Sequence, residues 1–157
     1  MNSYPYEEVP RLTLQNKVAV SSVAAVVFML CALPQVYQRT DNRFLTTYDA
    51  SSTCPTPAGK FLHTAVFFAV SYFLMKIGAN KQVLGLENKS DGFLAKCAFH
   101  SALLFFVLTS TDAFKLTGNF TSRVLANEFG CPNVTGVVAH SLVFLVVLVL
   151  VMYFPKE

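Results

Sequence analysis

His63 and His140 are the residues of this chain best suited to chemistry, together with Cys54 and Cys131, and the members of each pair lie 77 positions apart. Two imidazoles facing one another hold a haem iron between axial nitrogens, or share a metal ion or a proton. Two thiols on an oxidising side close a disulfide. Each pair also has a plainer reading. An imidazole inside a membrane is satisfied equally well by a backbone carbonyl or a Ser/Thr hydroxyl of a neighbouring helix. A Cys-Pro step also serves as a turn whose proline preorganises the next helix. Zinc wants three or four ligands, and two histidines without a nearby carboxylate fall short, so no metal site is expected. Haem held by His63 and His140 stands as the alternative cofactor. His100 falls toward the opposite end of its segment and cannot join the other two, Lys96 reads as a snorkelling side chain, and Cys31 and Cys97 read as small apolar packers.

The 77-residue spacing extends well beyond these four residues. Ala25, Phe28, Thr40, Asn42, Cys54, Pro55, Gly59, His63, Val66, Phe67, Val70 and Met75 recur as Ala102, Phe105, Thr117, Asn119, Cys131, Pro132, Gly136, His140, Val143, Phe144, Val147 and Met152. That makes 12 identities in 51 ungapped pairs, with the pattern C-P-x3-G-x3-H held in one register. Apolar composition produces chance Val and Phe matches, but not a Cys-Pro, a Gly and a His all in phase. The chain is therefore read as a duplication.

Composition points to the solvent these units occupy. Over 157 residues the chain is 54% hydrophobic and 13% charged, with a mean hydropathy of +0.48 and no Trp. Four apolar stretches, Val18 to Leu33, Phe61 to Ile77, Phe93 to Ser110 and Gly136 to Phe154, contain no Asp or Glu. Each reaches or approaches the roughly 20 residues that cross about 30 Å of hydrocarbon as a helix. The fold expected is an all-α membrane protein of four transmembrane helices, arranged as two parallel two-helix repeats about a pseudo-twofold axis along the membrane normal. The segments are 1–17 (cytoplasmic), 18–77 (first two-span repeat), 78–92 (polar hinge), 93–154 (second repeat) and 155–157 (tail). Met1 to Arg11 carries Pro5, Pro10, Glu7 and Glu8 and does not read as a cleavable signal peptide. Lys and Arg divide seven to five between the two sides, which places both termini and the hinge in the cytoplasm. The net charge of +3 is scattered, so no nucleic-acid partner is expected.

Helical geometry adds a packing expectation. Gly59, His63, Val66, Phe67 and Val70 share an arc of roughly 100°, as do Gly136, His140, Val143, Phe144 and Val147. These stripes are expected to pack in the bundle, with the glycines permitting close backbone approach. Ser21 and Ala25, and Ala98 and Ala102, form small-x3-small patterns at matched positions of spans one and three. Pro34 to Thr40 and Asp112 to Thr117 read as short amphipathic stretches at the interface, anchored by Tyr37 and Phe114. Of three sequons, at Asn88, Asn119 and Asn133, Asn119 is the glycosylation candidate, because Asn133 lies close to the membrane and Asn88 on the other side.

No phosphate-binding loop, nucleophile elbow, Ser-His-Asp set, HExxH or intramembrane carboxylate pair occurs, so neither enzyme activity nor a small-molecule substrate is expected. The runs L-P-Q-V-Y-Q-R-T at 33–40 and C-P-T-P-A-G-K-F-L-H-T-A-V-F-F at 54–68 resemble those of small two-span membrane proteins of giant nucleocytoplasmic DNA viruses, chlorella viruses and their relatives. This chain looks like two such units fused, with Asn133 for Thr56 and Asp112 for Gln35 in the second copy. The resemblance implies a viral structural protein of a virion inner membrane, organising lipid or linking it to minor capsid proteins. The partners expected are the bilayer and other membrane or minor capsid proteins. A haem- or quinone-binding subunit, or an accessory subunit of a large organellar complex in a host endomembrane or organelle membrane, are the competing expectations.

Overall fold

A computed structural model describes residues 12–87, 89–121 and 123–153. The first eleven residues, the Asn88 sequon and the tail from residue 154 lie outside the described residues. The chain is mostly helical: α1 (Leu14–Ala32), α2 (Pro34–Thr40), α3 (Pro57–Asn80), α4 (Asp91–Leu108), α5 (Thr111–Phe120) and α6 (Val134–Val151), with strands β1 (Tyr48–Asp49) and β2 (Cys54–Pro55) between α2 and α3. β1 and β2 pair antiparallel, Tyr48 opposite Pro55 and Asp49 opposite Cys54.

Side-chain caps set where these helices begin. Thr13, Thr56, Ser90, Ser110 and Asn133 accept from the backbone N–H groups of Asn16, Gly59, Phe93, Ala113 and Gly136. Such caps matter most where no water replaces them. They also explain why the helices outrun the apolar stretches at their starts, α1 beginning at Leu14 rather than Val18 and α3 at Pro57 rather than Phe61. Lys17 consequently lies inside α1 rather than before it, with its ammonium 3.4 Å from the centre of the Tyr153 ring. Asn133 caps α6 as Thr56 caps α3, its Oδ1 taking the Gly136 N–H at 2.7 Å.

α1, α3, α4 and α6 are the four helices long and apolar enough to span a membrane, with mean hydropathies of 1.5 to 2.7. Only 22–33% of each apolar window is buried inside the bundle. The remainder, including Val26, Phe73, Leu103 and Leu142, faces outward, a surface compatible with an integral membrane protein rather than with water. α1 packs chiefly along α6 and α3 along α4. At the centre each of these four helices contributes one phenylalanine, Phe28, Phe67, Phe105 and Phe144, all fully buried. Their rings close a circuit with centroid separations of 4.6 to 5.7 Å.

The hinge is less detached than its polarity suggests. Leu86 turns inward to join Val20 and Leu94 in a second apolar cluster, and Lys76 forms an ion pair with Asp91 across it.

Candidate functional site

The first candidate residue, His63, enters from the second turn of α3. Its Nδ1 lies 2.7 Å from the Cys31 carbonyl and its Nε2 3.0 Å from Thr40 Oγ1. One face stacks on Tyr37, with centroids 3.7 Å apart and planes 8° from parallel. His140 repeats this on α6: Nδ1 to the Leu108 carbonyl at 2.8 Å, Nε2 to Thr117 Oγ1 at 2.9 Å, and a stack on Phe114 at 4.0 Å and 8°. A carbonyl only accepts, so Nδ1 carries the proton in both rings, and a neutral ring then accepts at Nε2 from the threonine hydroxyl.

Chain breaks create the need for these bonds. α1 ends where Leu33 takes an extended conformation ahead of Pro34, and α4 ends at Thr109 ahead of the Ser110 cap. A helix end leaves its last carbonyls without an intrahelical partner, which is costly away from water. The two imidazoles satisfy Cys31 and Leu108, and through the threonines they tie α2 to α3 and α5 to α6. Both buried rings therefore act as clamps, each with both nitrogens engaged. Axial coordination of haem would require Nε2 to give up its threonine. Among the described residues no group of three or more His, Cys, Asp or Glu side chains gathers as a metal site.

Thr40→Val or Thr117→Val is expected to strip Nε2 of its donor at a cost of about 1–3 kcal/mol, through the buried polar atom left unpaired. Thermal unfolding in mild detergent measures it, with Ser substitutions retaining most of the stability.

The structure joins Cys54 and Cys131 as a disulfide, with Cα atoms 5.1 Å apart. Beside it the Asn127 side chain donates to Thr53 Oγ1 at 2.9 Å while its Oδ1 accepts the Cys131 N–H at 2.8 Å, so the two long connections are fastened to one another. Lys60 adds a bond between α3 and α5, donating to Thr111 Oγ1 at 2.6 Å.

The expected packing stripes divide. Gly59, His63, Phe67, Gly136, His140 and Phe144 are buried, as are Ser21, Ala25, Ala98 and Ala102, whereas Val66, Val70 and Val143 face outward and Val147 is half-buried. An arc of roughly 100° is wider than the contact a helix makes here, so its valine edge meets the surroundings instead. The glycines admit the connections, not a facing helix. A methyl at Gly59 would strike the Thr47 carbonyl, and one at Gly136 the Leu125 carbonyl and the Phe114 ring. Gly59→Ala and Gly136→Ala are each expected to cost about 1–3 kcal/mol as overpacking against backbone, read as a lowered unfolding midpoint.

Asn119 is exposed near the end of α5. Asn133 is held as a cap, its Nδ2 donating to the Val124 carbonyl at 2.7 Å. His100 bonds back to the Lys96 carbonyl of its own helix and stays exposed. The partners not foreseen were Thr40 and Thr117, although both recur in register with the histidines and so carried the signal. No protein-family model, curated protein or solved structure matches this chain.

Proposed function

We infer that the chain is a non-enzymatic, multi-pass structural membrane protein, built as two like two-span units about a pseudo-twofold axis along the membrane normal. Its fastened connections form a docking face for other proteins. The observation that carries this reading is that the chemistry-bearing residues serve as fasteners. His63 and His140 close helix breaks through the same three contacts, and Cys54 is bonded to its own repeat, Cys131. The axis is supported by contacts between positions 77 apart, Phe28 with Phe105 and Phe67 with Phe144 among them, and by the matched packing of α1 on α6 and α3 on α4.

The setting follows from the resemblance of the 33–40 and 54–68 runs: a virion inner membrane, with the docking face meeting minor capsid proteins. Peptide mass spectrometry on gradient-purified particles, before and after detergent removes lipid, tests it. Enrichment in particles with a fraction held on the stripped shell is the expected result. Recovery only from host organelle membranes overturns the virion setting, and a Soret band lost on replacing both histidines by alanine overturns the structural role in favour of haem binding.

A further inference from the structure

Beneath the hinge the bundle holds a cavity of about 40 Å³, at the end opposite the disulfide. Four repeat pairs line it: Val20 with Cys97, Ala24 with Ser101, Ser71 with Leu148, and Met75 with Met152. The third pair explains the space. Serine at 71 stands where the other unit carries leucine, and the missing side-chain volume stays open instead of being repacked.

The same serine leaves a chemical vacancy. Ser71 is only 5% exposed, and its hydroxyl is the buried side-chain polar atom with no hydrogen-bond partner among the described residues. The other lining serine is satisfied, Ser101 donating to carbonyls of its own helix at 2.9 and 3.1 Å. Among the described residues none that lines the cavity is charged. A water molecule would fit by size, but buried waters make about three hydrogen bonds, and this wall offers the Ser71 hydroxyl amid apolar side chains. A plain hydrocarbon tail fills the space and leaves the hydroxyl stranded. A molecule with an apolar chain and one accepting oxygen near its end meets both demands: the oxygen-bearing end enters beside Leu148 and the adaptable Met75 and Met152, and the rest of the chain leaves past the exposed Val23 and Leu74 into the surrounding lipid. Ser71 lies six residues before Ile77, where the apolar stretch of α3 ends, about 9 Å along the helix. With that stretch spanning the hydrocarbon, the hydroxyl sits below the level of phospholipid ester groups at its boundary.

We propose that this cavity is a binding site for an uncharged, membrane-dissolved lipid bearing a single carbonyl group, whose oxygen accepts from the Ser71 hydroxyl. The site rests on the membrane reading of the chain and is independent of capsid anchoring.

The test uses the full chain in phosphatidylcholine nanodiscs with a long-chain methyl ketone, and the alkane of equal length for comparison. Alkylation of Cys97 by a lipid-soluble maleimide reports occupancy through peptide mass spectrometry, and Cys31, which does not line the cavity, serves as the internal reference. The ketone is expected to protect Cys97 at roughly fivefold lower concentration than the alkane, the worth of one net hydrogen bond. Ser71→Ala should reduce the ketone to the alkane's level, and Ser71→Leu, which restores the residue of the other unit, should abolish protection by both. The ketone-induced rise in unfolding midpoint reads the same difference without the thiol. Equal protection by ketone and alkane, an unchanged ketone effect in Ser71→Ala, or no effect of either on both readouts overturns the proposal. None of these outcomes bears on retention by stripped particles.

Discussion

Reducing the Cys54–Cys131 disulfide is expected to destabilise the folded chain by about 4–5 kcal/mol, because the bond closes a loop spanning 77 residues and loop-closure entropy grows with the logarithm of that length. Spans already inserted in a bilayer restrict the unfolded chain, so this value is an upper bound for the membrane-embedded protein. Unfolding in mild detergent with and without reductant measures it. Cys54→Ser, Cys131→Ser and the double variant should then give one and the same loss, since each removes the same bond. A protease site placed between Gly78 and Gly92 gives a second readout: cut chains should migrate as one species on a denaturing gel until reductant separates the halves. Halves that part without reductant, or a midpoint indifferent to it, would contradict the bond.

The phenylalanine circuit carries the other large effect. Phe67→Ala and Phe144→Ala are each expected to cost about 3 kcal/mol, the lower end of the range for a buried phenylalanine. Lipid tails are as apolar as the core, so the transfer part of the usual loss shrinks and what remains is the cavity and its forfeited dispersion contacts. The rings touch one another, so the double variant should fall short of the sum. Leu142→Ala on the outward face of α6 should be close to neutral, because lipid replaces the missing atoms. Equal losses at Leu142 and Phe144 would mean that α6 does not present the faces described.

How far these features could be read from the sequence depended on their length scale. The four long apolar helices were legible as apolar runs, since a helix able to cross a membrane needs about 20 apolar residues whatever their period. Their starts were not, because Thr13 and Thr56 act through a single hydrogen bond each and leave no trace in hydropathy. The paired cysteines stood out through the identities 77 positions apart. The clamps were legible in part: a carbonyl or hydroxyl partner was the plainer reading for each histidine, yet Cys31 and Leu108 acquire free carbonyls only because the chain breaks after them, which is a property of backbone path. Val66, Val70 and Val143 show the reverse difficulty, since inside a membrane an outward side chain is as apolar as an inward one and the pattern alone cannot sort them. Leu86 was hidden for a related reason, one inward residue in a segment whose composition is polar.

If the two like units we propose arose by duplication, the bond between Cys54 and Cys131 carries a history. In a single-unit ancestor the two ends of that bond are one residue, so the link made here within a chain would there join two separate molecules. Fusion turns such a covalent pair into a fixed one-to-one stoichiometry and removes the dependence of assembly on concentration. It also frees the halves to mutate independently, which an identical pair cannot do. Ser71 opposite Leu148 is a difference of that kind: a pocket on the seam between like halves that only unlike halves can have.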